Sequence, residues 1–135
     1  MPRAILVAGI LVGATLTFFT ITRRKDDPFR YTRDVARELE LRTTPPGGKV
    51  GIESAPVART WSVRVQWQLD APSSWNEYLE WVDGELSADF TLVDREDGIV
   101  HYSRTARADR HLLEVRLLRE GPPLVVVVTL VTSPS

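Results

Sequence analysis

Residues 60–86 read TWSVRVQWQLDAPSSWNEYLEWVDGEL. Over 60–69, Trp61, Val63, Val65, Trp67 and Leu69 alternate with Thr60, Ser62, Arg64, Gln66 and Gln68. A period of two places one set on each side of a strand, so this segment predicts a strand with one buried and one polar face. Asp70-Ala71-Pro72 ends it. Ser74 and Glu77 then stand at capping-box spacing, which predicts a helix over 74–86. Trp75, Tyr78, Leu79, Val82 and Leu86 share one face of that helix, and Asn76, Glu77, Glu80 and Asp83 share the other. A half-buried strand followed by an amphipathic helix implies a helix lying across a sheet, apolar side down.

Downstream, four further strands are expected at 88–94, 99–104, 112–119 and 124–132. Asp97-Gly98 and Gly121-Pro122-Pro123 supply tight turns, and a polar loop, TARADR, joins the middle pair. Short connections favour an antiparallel meander. The expected fold class is therefore α+β, with one helix on an antiparallel sheet in the order β-α-β-β-β-β. In element order this resembles the cystatin-like and NTF2-like architectures. The resemblance covers the domain at 58–135, carries no diagnostic motif and implies a fold outline, not an activity.

The last strand, LVVVVTLV, is apolar on both faces. A strand with water on one side alternates, so its second face is expected to be covered, by residues 31–42, a second copy or a partner. Val125 and Val127, together with Leu112 and Leu118 on the outward parity of the preceding strand, are candidate partner contacts. Trp81 joins them, because it lies on the flank of the apolar stripe of its helix.

Upstream, residues 43–56 read as a Pro/Gly linker, in which Val50 and Ile52 suggest a short edge strand. Residues 31–42 predict a short amphipathic helix through Tyr31, Val35 and Leu39, capped by Thr32, after a break at Asp26-Asp27-Pro28. Its mixed polar face suits packing on the domain or a neighbour better than lying on a membrane.

Residues 4–22, AILVAGILVGATLTFFTIT, carry no charge, and Arg23-Arg24-Lys25 follow at once. As a helix they would span roughly 28 Å, close to the ~30 Å hydrocarbon core. The run is longer than a signal-peptide core and lacks a small-residue cleavage site, so a single transmembrane anchor is expected. The chain thus divides into a short head at 1–3, the anchor at 4–22, a juxtamembrane segment at 23–57 and the domain at 58–135. Basic residues after the anchor favour a cytoplasmic domain, whereas a short head also suits an exported one. Gly9 and Gly13 form a GxxxG spacing that lets a second membrane helix approach.

A net charge of −1 argues against nucleic-acid binding. The absence of cysteine removes disulfides, thiolate metal sites and cysteine nucleophiles. His101 and His111 are read as ordinary surface or edge histidines; on a strand, His111 and Glu114 point to opposite faces, not to one metal. Glu77, Glu80 and Asp83 line a solvated helix face, without the burial that tunes a catalytic carboxylate. No nucleophile elbow, P-loop or dinucleotide motif is present. No catalytic residue, metal or cofactor is therefore expected.

These readings converge on a membrane-anchored, non-enzymatic protein-interaction domain, either an accessory or assembly subunit or a self-associating anchor protein. Its expected partners are the bilayer and a membrane protein or second copy. The alternative is a tethered binding module for an apolar ligand, in a pocket between helix and sheet lined by Trp61, Trp67, Trp75, Tyr78 and Phe90.

Overall fold

The computed structural model describes residues 27–134. The stretch 4–22, with Gly9 and Gly13, lies outside the described residues. Among the described residues no helix is long and apolar enough to cross a membrane. Two helices and seven strands follow in the order α1 (Pro28–Thr43), β1 (Lys49–Glu53), β2 (Val57–Arg59), β3 (Ser62–Ala71), α2 (Trp75–Leu86), β4 (Thr91–Glu96), β5 (Ile99–Ala106), β6 (Asp109–Arg119) and β7 (Leu124–Pro134).

The strands form one antiparallel sheet in the order β1-β3-β7-β6-β5-β4, with β2 also paired to β3. β4 to β7 make the expected meander, and α2 carries the chain from β3 to β4 at the far edge. β7 lies at the centre, between β3 and β6. The core fills one face of the sheet: Val65, Trp67 and Leu69 of β3 and Leu113 and Val115 of β6 flank Val126, Val128 and Leu130 of β7. Val35, Ala36 and Leu39 of α1 and Tyr78, Val82 and Leu86 of α2 close over them.

Several elements differ from the sequence expectation. α1 starts at Pro28, three residues before the expected 31. Proline suits the first helical position, where its missing N–H has no partner to lose, and Asp27 Oδ1 accepts from Phe29 N at 3.0 Å. Thr32 is therefore not a cap. It is buried, and its hydroxyl bonds to that of Thr132. The packed unit also begins earlier than 58, because it starts at Tyr31 and takes in α1 and β1. β1 is the short edge strand expected at Val50 and Ile52, and β2 adds to the expected strands. Both are short, and neither alternates in burial, so no period marks them.

Trp61 is the largest correction. The strand starts at Ser62, and Thr60-Trp61 form the turn between β2 and β3, with Thr60 at φ 49°. Trp61 is 81 % exposed. Its alternation with Val63 is real, but the turn takes the chain out of the sheet one residue too early for Trp61 to reach the core. The loop expected at 105–110 shrinks to Arg107-Ala108, with Arg107 at φ 59°, because β5 and β6 stay paired out to Ala106 and Asp109. β4 begins late, since Phe90 N still bonds to Leu86 O at 2.8 Å beyond the end of α2.

The α2 cap is as expected. Ser74 accepts from Glu77 N, and Glu77 returns the bond to Ser74 N. Thr43, the last residue of α1, ties both helices to the sheet. Trp67 Nε1 donates to Thr43 Oγ1 at 3.2 Å, Tyr78 Oη donates to the Thr43 carbonyl at 2.7 Å, and Thr43 Oγ1 donates to the Leu39 carbonyl. Two large aromatic side chains thereby bury their bodies and still satisfy their polar tips.

Candidate interaction face

The helices cover one face of the sheet, and strand register orders the other into three rows. The first runs Val57, Arg64, Val131, Leu112, Ser103, Thr91. The second runs Gln66, Thr129, Glu114, His101, Asp94. The third runs Ile52, Gln68, Val127, Arg116, Ile99, Glu96.

The second row carries two hydrogen-bonded groups. Gln66 Nε2 donates to Thr129 Oγ1 at 3.0 Å. His101 bridges two carboxylates, with Nε2 3.1 Å from Glu114 Oε1 and Nδ1 2.8 Å from Asp94 Oδ1. Arg116 Nε donates to Glu114 Oε2. The bond to Asp94, and then that to Glu114, raise the His101 pKa against the desolvation that lowers it. Cross-strand pairs of this kind stabilise a sheet face, and here they separate two rows that carry aliphatic positions.

The structure distributes the expected contact residues unevenly. Leu112 and Leu118 are exposed, Leu118 at the bulge of β6 before Arg119. Val127 is half-buried between Gln68 and Arg116. Val125 is buried between Asp70 and Arg119 and offers little surface. Trp81 is half-buried and packs on the core. No other element of the described chain covers the outer valines of β7; long polar side chains flank them in register instead, a usual way for arginine and glutamine to shield apolar neighbours.

Of the residues expected to line a ligand pocket, Trp67, Trp75, Tyr78 and Phe90 are buried in the core, with Trp75 stacked on Tyr78 at 6.1 Å between ring centroids, while Trp61 points elsewhere. A cleft of about 750 Å³ lies at the start of α2, lined by residues of the β3–α2 and β6–β7 connections, and none of those five residues lines it. Glu120 occupies the helix end there, accepting from Trp75 N at 3.1 Å.

The histidines sit on opposite faces of the sheet, so they do not form one acid–base pair. His111 is 1 % exposed, contrary to the expected surface position. Tyr31 of α1 and Arg104 of β5 bracket it. Arg104 also reaches Glu38 and Asp89 and lies over the Phe90 ring at 4.6 Å. Arg42 contacts the same two carboxylates and the Glu85 carbonyl. The Arg42 bonds, aided by Arg104, hold the Asp89 carboxyl down to about 2. Sequence reading missed this network. Only the i,i+4 spacing of Glu38 and Arg42 marked it, whereas Asp89 and Arg104 arrive from remote segments.

Comparison with protein-family models, curated proteins and solved structures found no match to this chain.

Proposed function

We propose that the chain is a membrane-anchored, non-enzymatic protein-interaction domain, serving as an accessory or assembly subunit of a membrane complex or as a self-associating anchor protein. The observation that carries the reading is the outer sheet face. Apolar side chains at Val57, Val131 and Leu112, and at Ile52, Val127 and Ile99, flank a polar, hydrogen-bonded row. A surface that sets apolar side chains beside polar ones is what protein contacts use. The sheet edges are poorer candidates. β1 and β4 both carry bulges, and β4 ends in Asp94-Arg95-Glu96, features that discourage strand addition. The uncharged stretch 4–22 supplies the tether, and Gly9 and Gly13 supply a helix contact within the bilayer.

The test is the native mass of the full-length protein extracted in mild detergent, with identification of co-purifying chains. A stoichiometric complex that Leu112→Glu with Val131→Glu dissolves, the domain remaining folded, supports the reading. A monomer without partners, or a complex indifferent to these substitutions, removes the outer face from it.

A further inference from the structure

We propose that the end of the sheet where α1 begins docks on an anionic lipid surface, with Trp61 at headgroup depth among Arg59, Arg107 and Arg110. The proposal rests on the membrane-anchored reading above.

Register brings these residues to one end. β2 stops at Arg59 and β3 starts at Ser62; β5 stops at Ala106 and β6 starts at Asp109; β7 finishes beside them, with Asp109 opposite Pro134. The two turns at this end are therefore Thr60-Trp61 and Arg107-Ala108. The start of α1 is fixed to the same end, because Tyr31 bonds to His111 and Thr32 to Thr132. Nine peptide units separate Thr22 from Tyr31, and fully extended they reach only about 30 Å. An anchor at 4–22 would thus keep Tyr31 within about 30 Å of the bilayer.

The chemistry of the end fits that surface. Trp61 is 81 % exposed, and an indole with an apolar body and one N–H donor suits the headgroup boundary. Arg59, Arg107 and Arg110 are exposed and form no salt bridge among the described residues. The acids at this end include Asp109, beside Tyr31, and Asp27, at the start of α1. The far end has the opposite sign: Glu77, Glu96, Asp97 and Glu120 gather at the start of α2 and the β4–β5 and β6–β7 turns, against Lys49 and Arg119. Arginines near an anionic surface are drawn to it, and the charge separation orients the domain with its strands upright. The outer face then stands at right angles to the membrane, toward neighbours in the same bilayer.

The test uses the full-length protein in vesicles of brominated phosphatidylcholine, with or without brominated phosphatidylglycerol. Flotation after an alkaline wash reports the anchor. The difference in fluorescence between the wild type and Trp61→Phe reports this residue alone. The expected result is flotation in both lipids, with Trp61 quenching at least about twofold stronger in the anionic vesicles, a difference that Arg107→Gln with Arg110→Gln removes. A floating protein whose Trp61 is unquenched in both lipids, or is shielded from aqueous acrylamide without bromine quenching, overturns the docking and leaves the anchor standing. Equal quenching in both lipids overturns the anionic recognition. Failure to float overturns both readings.

Discussion

The Tyr31 hydroxyl lies 2.9 Å from Nε2 of His111, and Arg104 decides which of the two donates. Arg104 Nε can only donate, and it sits 2.8 Å from His111 Nδ1. Nδ1 is therefore the acceptor, and the imidazole proton is on Nε2, donated to Tyr31. The Tyr31 hydroxyl hydrogen is left to turn toward Asp109; burial first, and then this carboxylate, raise the Tyr31 pKa. A neutral histidine thus joins α1 to β5 and β6, and a protonated one has no acceptor for Arg104.

This tautomer sets a pH dependence. Burial and the Arg104 charge lower the His111 pKa, against weaker opposing fields from Asp109, Glu38 and Asp89. The unfolded chain therefore binds the proton more readily than the folded one, and stability falls with acidification. The loss starts near the unperturbed pKa of about 6.5 and is complete below the lowered folded value. His111→Asn, whose Oδ1 can replace Nδ1 as acceptor, should lose the Tyr31 link but flatten the profile in this window. Urea denaturation as a function of pH, followed by tryptophan fluorescence, checks it; an unchanged slope in the variant removes His111 as the source.

His101 carries the opposite sign. Its pKa is raised, so its contribution is full below about 6.5 and disappears as pH rises through the folded value. The ring is partly exposed, as are Asp94 and Glu114, so solvent screening keeps the effect under about 1 kcal/mol. His101→Gln should remove the decline toward alkaline pH without touching the acid limb. Nuclear magnetic resonance titration of the two imidazoles in the full-length protein should find His101 above and His111 below the free value.

Arg104 is 10 % exposed and serves His111, Glu38, Asp89 and the Phe90 ring together. Arg104→Met keeps the aliphatic stem but leaves His111 Nδ1 unpaired, at an expected cost of about 2 kcal/mol, below the value for a fully buried pair because both carboxylates reach water. Arg104→Lys should recover little, since an ammonium cannot bond a ring nitrogen and a carboxylate through one planar fork. Equilibrium denaturation separates the three proteins; full rescue by lysine removes the geometric argument.

Membership of α1 in the fold is testable at two neighbouring leucines. Leu39 is fully buried under the helix and Leu41 points to solvent. Leu39→Ala should cost about 2–5 kcal/mol, and Leu41→Ala should stay within about 0.5 kcal/mol. Similar small effects at both positions would return residues 31–42 to the status of a tether outside the domain.

The elements with strong periods were legible in the sequence: the β3 alternation, the Ser74–Glu77 cap and the apolar stripe of α2. What escaped has a physical pattern. β2 takes its order from pairing to β3 and not from a buried face, so its residues carry no period, whereas β1 was marked by Val50 and Ile52. Trp61 continues an alternation that the chain abandons at Thr60, and no local signal distinguishes the last strand residue from the first turn residue. The outward valines of β7 announced a second apolar face correctly. The sequence alone did not show that Gln68, Arg64 and Arg116 would stand beside them, because register is a property of the assembled sheet. The Arg104 network is similarly invisible, since its carboxylates come from α1 and from the segment after α2.

Glu40 offers a stabilising substitution. Its Oε2 is buried with no hydrogen-bond partner among the described residues, and burial, with Glu53 beside it, pushes the Glu40 carboxyl up to about 7 against the opposing charge of Arg37. A carboxyl raised in the folded state contributes stability in acid, below the unfolded value of about 4.3, and that contribution is lost as pH rises through about 7. Above pH 7 the fold therefore holds an ionised Glu40 next to Glu53 at the contact of α1 with β1. Glu40→Gln replaces the charge with an amide that can donate to Glu53. The side chain is not deeply buried, so solvent screening limits the expected gain to less than about 1 kcal/mol. The gain should appear at pH 8 and vanish near pH 5, where wild-type Glu40 is already protonated. Thermal unfolding of both proteins at these two pH values decides it: an equal shift at both would place the effect in packing, and a loss at pH 8 would mean that the Arg37 charge outweighs the carboxylate pair.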